Sequence, residues 1–447
     1  MMKNTGFTAS DCFWDSHSQS YKRVLFGTRK AKAILVDEGL WQQVKKASSR
    51  ELESLDEVQT TLEEAGILVR LSPEEEFQEV MQENHEAAQA SKKLYFVVQP
   101  TAMCQLGCTY CGQLHRRRML SPKDRELFFE RVREKLSQKK YDTLEIGWFG
   151  AEPLMGIAVM RDLSPKLKEL AQDFECTYIS RVVTNGISLT PKMAEDLIQK
   201  HNVYWIEVTI DGTEEFHNQR RPTKSGKGTF QTIFQNLIVV AKLDLDFHLS
   251  IRCNVDRENH LSFLSLVEKL AEHHLQDRIS VYAAPVHPWG NEAGKDFTKE
   301  EFGQWELEYF AHMLEMSFSV SLLPKRSKIT CMAVRSEEEL VDAYGDLYNC
   351  TEVSYVPRYE REDGKNIFAI GNIRKGVEKA KRERLSNFYH EIEEGLHPCQ
   401  SCLFLPVCGG ACPKLWKEGK RTKSDLSSGF DLCAGAAGEL GESSPKP

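Results

Sequence analysis

The chain has 447 residues, 41% of them hydrophobic, enough for a large packed core and consistent with two or three domains. Its 58 basic and 66 acidic side chains leave a net charge of −8, the opposite of the basic excess that marks a general nucleic-acid binder. No apolar run approaches the ~20 residues of a membrane span, and the opening MMKNTGFTASDCFWDSHS has no apolar core after its lysine, so a cytoplasmic protein with no membrane or nucleic-acid partner is expected. Thiols stay reduced in that compartment, so the 13 cysteines do not read as a disulfide framework.

In chain order, 21–26 and 32–36 read as short strands, 40–46 and 57–65 as helices, Gly66 as a helix-ending glycine and 67–70 as a closing strand. Short strands around two helices suggest a winged-helix-like module. Residues 73–93 are acidic, glutamine-rich and without a strong apolar stripe, and read as a linker helix, so 1–92 forms one region. Strands are then expected at 94–99, 143–149, 178–184, 204–210, 247–253 and 279–283. Helices are expected between them at 122–136, 159–171, 192–200, 230–242 and 261–273. Such alternation implies parallel βαβ units, and six of them imply an α/β fold with a partial (β/α)6 TIM-like barrel over 93–300. Beyond 300 the alternation fades into a loop-rich, cysteine-rich region, 301–434, and a flexible tail, 435–447.

The run Cys104-Gln-Leu-Gly-Cys108-Thr-Tyr110-Cys111 follows the first expected barrel strand, at the end where α/β barrels place chemistry. Three thiolates in eight residues of loop can wrap one iron–sulfur cluster and leave one iron open. Structural zinc wants four ligands, and a disulfide-redox pair would leave Cys104 idle. The basic run His115-Arg116-Arg117-Arg118 reads either as a solvated loop face or as the neighbour of an acidic ligand.

Cys-x3-Cys-x2-Cys with Tyr110 before the last cysteine resembles the signature of the radical S-adenosylmethionine enzymes. The resemblance implies that Cys104, Cys108 and Cys111 hold a 4Fe–4S cluster whose open iron chelates S-adenosylmethionine, cleaved on reduction to a 5′-deoxyadenosyl radical. It extends along the barrel. Gly150-Ala151-Glu152-Pro153 resembles the family's Gly-Gly-Glu-Pro, with alanine in the second place, and implies that Gly150 and Glu152 meet the cofactor's ammonium group. Thr184-Asn185-Gly186 ends the third expected strand as the family's Thr-Asn-Gly does. Thr209-Ile-Asp211-Gly212, His217 and Arg221 fall at the offsets of the peptide-modifying branch. There a hydroxyl at Thr209 meets the ribose and carboxylate side, and Arg221 binds the carboxylate, a task that suits a planar guanidinium. Neighbouring Arg220 stays an alternative. Arg252 and Asn254 are weaker candidates, readable equally as polar structure at the barrel mouth.

Further on, Cys331-x13-Gly345-x4-Cys350, then Cys399-x2-Cys402-x5-Cys408-x3-Cys412, then Cys433, resembles the seven-cysteine SPASM domain. That resemblance implies two auxiliary 4Fe–4S clusters, three clusters in all. Cys331, Cys350 and Cys412 would serve the one nearer the active site, and Cys399, Cys402, Cys408 and Cys433 the distal one. No additional cysteine follows Cys331, so the nearer cluster has an open iron or a non-cysteine ligand. Cys12, Cys176 and Cys253 fall outside both patterns and read as buried or semi-buried thiols. Sulfatase-maturing enzymes share the barrel and SPASM domain but begin near the first triplet. The ~100 residues before it here are spent on a module that resembles the leader-binding domain of ribosomal-peptide maturases, which captures an extended leader by strand addition. The expected activity is therefore carbon–carbon (cyclophane) or thioether crosslinking of a precursor peptide, with an external low-potential electron donor of flavodoxin or ferredoxin type. Formylglycine formation in a sulfatase and a non-catalytic iron–sulfur scaffold are the alternatives. No catalytic base is assigned.

Overall fold

The computed structural model describes residues 3–4, 7–46, 56–286 and 297–419. They fall into two compact units, each discontinuous in sequence. One comprises the described residues of Ser91–Val320 and Arg335–Ser386, the other those of Met1–Ala90, Ser321–Val334 and Asn387–Pro447.

The larger unit is built on six parallel strands: β1 (Lys93–Val98), β2 (Thr143–Trp148), β3 (Thr177–Thr184), β4 (Val203–Thr209), β5 (His248–Val255) and β6 (Ile279–Pro285). Each pairs with its predecessor in sequence, the order of an open (β/α)6 barrel. The crossovers carry α1 (Pro122–Gln138), α2 (Ile157–Asp173), α3 (Pro191–His201), α4 (Phe230–Ala241) and α5 (His260–Glu272). Their starts are written locally: Ser121 and Thr190 cap α1 and α3, each followed by a proline whose missing N–H is no loss there. Alternation along β1 sets the layers. Leu94, Phe96 and Val98 face the helices, with Phe96 edge-on to Phe128 of α1 at 5.3 Å. The opposite face carries charge: fully buried Glu145 of β2 pairs with Lys93 (2.8 Å) and Arg181 (3.1 Å) and accepts from the Tyr204 hydroxyl (3.0 Å).

Past residue 300 the structure is more regular than the sequence suggests. Thr298 caps a 17-residue helix, α6 (Lys299–Glu315), through a reciprocal box with Glu301. A three-residue strand, β7 (Glu339–Val341), pairs in parallel with β1 and extends the sheet past its first strand, at the edge opposite β6. It turns back through Gly345 into β8 (Asp346–Tyr348). Gly345 has φ +81°, and a Cβ there would lie 2.9 Å from Ile373 Cγ2, so the glycine between Cys331 and Cys350 is a turn requirement. Three residues are too few to show a strand period, which is why β7 went unforeseen. It is fastened by charge: Glu339, with its side chain 1% exposed, meets Arg131 (2.5 Å), Arg382 (2.7 Å) and Lys135 (3.4 Å).

In the smaller unit, strand Ser20–Gly27 pairs with Lys32–Asp37 on one side and with Phe7–Ala9 and Phe13–Asp15 on the other. The last two strands were not expected. Helices Glu38–Lys46 and Asp56–Glu64 follow, then strand Leu68–Val69, which pairs with Lys3–Asn4. Leu25, Val36, Val44, Leu62 and Ile67 form their common core. The supposed linker helix, Pro73–Gln89, is a packing element and not a linker. Phe77, Val80 and Met81, at i, i+3 and i+4, are buried with Val334, Phe388, Ile392 and Cys399. Three apolar positions among so many acids and glutamines made that stripe easy to miss. The tail 435–447 lies outside the described residues.

Candidate active site

The cysteine loop leaves β1 at Gln99 and is tied down at both margins. Ala102 N–H donates to Arg118 O (2.9 Å) and Leu120 N–H to Pro100 O (3.0 Å), closing its base. Its tip is held by the segment after β4: Gly107 N–H donates to Pro222 O (2.8 Å), Thr109 N–H to Arg220 O (2.9 Å) and Lys224 N–H to Gln105 O (3.0 Å). Backbone bonds of this kind fix where three thiols sit without consuming them.

Cys104 is 8% exposed, and Asn185 at the end of β3 turns its amide toward the sulfur, Nδ2 to Sγ 3.7 Å. Burial pushes the Cys104 thiol up to about 12 and the Cys108 thiol up to about 11. Thiolates here are therefore costly unless a cation is bound. An all-sulfur donor set in one loop is what iron–sulfur chemistry uses. Gln105 Oε1 and Arg221 Nε are buried beside this loop without a hydrogen-bond partner among the described residues, unspent groups suited to a polar cofactor. The residues present fit a cluster and a charged ligand. Of the basic run, His115 reaches Cys111 Sγ at 3.9 Å. Burial, with Lys224 adding to it, holds the His115 imidazole down at about 4, and therefore neutral.

Two side-chain groups surround the loop. In the first, Glu152 is fully buried: its Oε1 accepts from Thr184 Oγ1 (2.7 Å) and Leu154 N (3.0 Å), its Oε2 from Asn185 N (2.7 Å). Glu152 thus braces the ends of β2 and β3, with its own N–H donating to Met103 O at 3.0 Å. Gly150 has φ +83°, and a Cβ there would lie 2.2 Å from Gln99 Nε2. In the second group, the Tyr110 hydroxyl donates to Asp211 Oδ2 (2.6 Å) and accepts from Arg221 Nη1 (2.5 Å) and Asn254 Nδ2 (3.0 Å). Burial keeps the Tyr110 phenol well above its ordinary range, so it stays protonated. Burial opposes the Arg221 charge, yet Cys108, Tyr110 and Asp211 beside it hold its pKa well above normal.

The two adjacent arginines part company. Arg220 meets Asp256 at 2.5 Å and lies over the Tyr110 ring at 5.2 Å, while Arg221 turns to the cysteine loop. His217 is a neutral organiser. Its Nδ1 accepts from Asp211 N (3.2 Å), its Nε2 lies 3.0 Å from Thr229 Oγ1, and burial holds its pKa down at about 3. Arg252 donates to Asn254 Oδ1 at 3.0 Å, and Thr209 is its register partner on β4, 8% exposed. The structure therefore brings Tyr110, Arg221, Asn254 and Arg252 into one network, and Cys104, Glu152, Thr184 and Asn185 into another. Sequence reasoning quoted Asp211 within its motif but gave it no role, although it is the hub of the first network and its place at a strand end was the available signal. It also passed over Gln113, whose Oε1 accepts from Ala151 N at 3.2 Å and which carried no signal at all.

Residues 98–270, the span from β1 to α5 that carries both networks, match the family model of the radical SAM superfamily. That span is a radical SAM domain, and it makes the chain an enzyme of that chemistry. A 4Fe–4S cluster and S-adenosylmethionine are the cofactors that go with this identity. The radical SAM enzyme is 25% identical over 367 residues to the serine-type anaerobic sulfatase-maturating enzyme of Bacteroides thetaiotaomicron, covering 72% of this chain and 83% of that one. It is 20% identical over 357 residues to the cysteine-type anaerobic sulfatase-maturating enzyme of Clostridium novyi, 72% and 88% covered. Among solved structures it resembles native anSMEcpe with bound AdoMet, with TM-score 0.54, 18% identity, and 71% and 89% covered. It also resembles Streptococcus suis SuiB bound to precursor peptide SuiA, with TM-score 0.51, 14% identity, and 88% and 93% covered.

The C-terminal cysteines of this radical SAM enzyme stand on tight turns. Cys402 N–H donates to Cys399 O (3.1 Å), a helix runs Leu405–Cys408, and Cys412 caps Pro413–Lys417. Between Cys408 and Cys412 three residues in a row are left-handed: Gly409 (φ +65°), Gly410 (+96°) and Ala411 (+64°). Thr330 Oγ1 donates to Gly409 O at 2.6 Å, joining the Cys331 segment to this turn. Cys331 and the 399–412 cysteines belong to the smaller unit and Cys350 to the larger, while Cys433 lies outside the described residues. Cys176 and Cys253 are buried as expected; Cys12 is exposed, against expectation, because it precedes an edge strand. No described helix is long and apolar enough to cross a membrane.

Proposed function

We propose that this radical SAM enzyme modifies a ribosomally made precursor peptide, removing a side-chain hydrogen and closing a carbon–carbon (cyclophane) or thioether crosslink. The observation that carries the reading is one of extent. The likeness to SuiB, a protein solved with a precursor peptide, covers 88% of this chain, whereas that to anSMEcpe covers 71%. The difference leaves room for an N-terminal region of the kind found here. When bound, the cluster supplies the electron that cleaves S-adenosylmethionine to the 5′-deoxyadenosyl radical. Cys104, Cys108 and Cys111 hold it; Gly150, Glu152, Thr184 and Asn185 shape the ammonium side, and Tyr110, Thr209, Arg221 and Arg252 the carboxylate and ribose side. The C-terminal cysteines would hold the two auxiliary clusters, whose chemistry there would be to accept an electron, and the external donor would be of flavodoxin or ferredoxin type. The leader docks along strand Lys32–Asp37, whose described pairing is on one edge only.

Sulfatase maturation is the second reading, supported by the names of both curated relatives. A search of the neighbouring reading frames for a short precursor, followed by its co-expression with this chain, decides between them. Mass spectrometry is expected to show a loss of ~2 Da per crosslink, two hydrogens leaving per bond formed. A Ser- or Cys-to-aldehyde change in a sulfatase, with the precursor untouched, would overturn the proposal. Absence of 5′-deoxyadenosine after anaerobic reconstitution with dithionite would favour the non-catalytic scaffold.

A further inference from the structure

Outside the cysteine patterns, the smaller unit gathers a second set of side chains able to bind a metal. His85 lies near the end of helix Pro73–Gln89. His390 and Glu393 sit three residues apart on helix Phe388–Glu393 and so share a face. His85 Nε2 lies 3.1 Å from Glu393 Oε1, and His390 Nδ1 lies 3.1 Å from Glu393 Oε2. The two imidazole rings lie against each other, centroids 4.6 Å apart and tilted by 35°. One ligand atom from each of the three residues lies within 4.8 Å of the other two.

Protein–protein contacts do not satisfy this arrangement. His85 Nε2 is buried and has no partner in hydrogen-bond geometry among the described residues, so the 3.1 Å approach of Glu393 is off its N–H axis. One carboxylate is shared between two imidazoles that would repel if both were protonated. A cation among the three relieves both difficulties, since each neutral imidazole then offers a lone pair and the carboxylate its charge.

We infer that His85, His390 and Glu393 form a binding site for divalent zinc that uses no cysteine ligand. Two nitrogens and one carboxylate oxygen suit zinc, and without sulfur the set does not suit an iron–sulfur cluster. Ligand atoms ~2.0–2.2 Å from a tetrahedral ion lie roughly 3.5 Å from one another; both histidine–carboxylate approaches are already at 3.1 Å, so binding chiefly draws the two imidazole nitrogens together, by about 1 Å. The His390 side chain is 61% exposed, which leaves an entry path and a place for water as fourth ligand. The ion pins helix Pro73–Gln89 to helix Phe388–Glu393. Those helices share one apolar core with Cys399, so the pin stiffens the support of the Cys399–Cys402 turn.

The test uses the full chain, purified anaerobically with its clusters reconstituted, then given zinc and passed through gel filtration. The expected result is one equivalent of zinc per chain whose X-ray absorption shows nitrogen and oxygen neighbours near 2.0 Å and no sulfur near 2.3 Å. Tm should rise by roughly 3 °C or more with zinc. His390→Gln, at an exposed position, should lose both the zinc and the Tm shift while iron content and 5′-deoxyadenosine formation stay at the unsubstituted level. His85→Gln should do the same. Zinc held through sulfur alone, or nitrogen-ligated zinc retained by both variants, would overturn the assignment.

Discussion

Cys104, Cys108 and Cys111 stand on a loop fastened by the ends of several barrel strands, whereas Cys399, Cys402, Cys408 and Cys412 stand on turns built by their own short-range bonds and tied from outside mainly by the 326–330 segment. The first loop takes backbone bonds from residues 220–224, an amide from Asn185 and a guanidinium contact through Tyr110 from Arg221. The second field is shaped by i, i+3 bonds such as Cys402 N to Cys399 O and by left-handed Gly409, Gly410 and Ala411. A site placed by the ends of several strands can hold both a metal and a second ligand in register. A site placed by its own turns can hold a metal and little else. The division matches the proposed roles, a cofactor seat in one field and electron storage in the other.

The sharpest way to break the comparison is to remove one thiol from each. Cys104→Ala is expected to reduce 5′-deoxyadenosine formation to background, a loss of at least about 10³-fold, because the open-iron seat disappears. Cys402→Ala should leave that cleavage in place while iron falls from roughly twelve to roughly eight per chain and peptide modification fails. If Cys402→Ala abolished the cleavage too, the two fields would not be separable and the comparison would be wrong. Deleting residues 1–71 comes next. Helix Pro73–Gln89 must be kept, since Phe77 and Met81 belong to the core around Cys399. The shortened chain should still make 5′-deoxyadenosine but lose precursor modification by about 100-fold or more, roughly 3 kcal/mol of leader binding. An unchanged rate would remove the leader-binding role.

The strand β7 tests how far distant parts of the chain hold the barrel end. Burial pushes the Glu339 carboxyl up, but Arg131, Lys135 and Arg382 overcome it and hold its pKa at about 2. Glu339→Gln leaves three cations around a neutral amide, and unfolding should become easier by about 3–5 kcal/mol. The pH dependence follows from a depressed carboxylate: its stabilisation is complete above its ordinary 4.5 and is lost as pH falls toward about 2. Urea titrations of the metal-free chain between pH 7 and 3 should show that slope in the unsubstituted protein and a flatter one in Glu339→Gln. Equal slopes would mean that Glu339 is not the fastener.

What could be read in the sequence follows the same line between local and distant causes. All six barrel strands and five helices were legible, because hydrophobic period, capping residues and prolines such as Pro122 and Pro191 are local signals. The cysteine patterns themselves could be picked out from spacing, and their role as cluster ligands is the proposal built on it. Illegible were β7, too short for a period, and the buried stripe of Pro73–Gln89, masked by its acids. So was the Tyr110–Asp211–Arg221 hub, whose members meet only because β4 and the cysteine loop end at the same height. Glu152 was expected to meet the cofactor, yet both its oxygens already brace Thr184 and Asn185. A motif residue can therefore act by positioning the loop as much as by touching the ligand.

The smallest effect concerns the one motif position where this chain departs from Gly-Gly-Glu-Pro. Ala151 has φ +47°, in the region where a Cβ crowds the following carbonyl at a cost of roughly 1–2 kcal/mol. Its N–H is nevertheless held by Gln113 Oε1 at 3.2 Å, and the next residue by Met103 O at 3.0 Å, so the turn cannot relax without releasing the cysteine loop. Ala151→Gly removes the crowding but adds unfolded-state freedom, which returns part of the gain. The net expectation is a stabilisation of about 1 kcal/mol, seen as a higher midpoint in urea. The dissociation constant for S-adenosylmethionine should change less than threefold, because the backbone path is already that of a glycine. A destabilised variant would show that the alanine methyl makes a packing contact worth more than the strain. A much tighter cofactor would show that the methyl, and not the backbone, limits the seat beside Cys104.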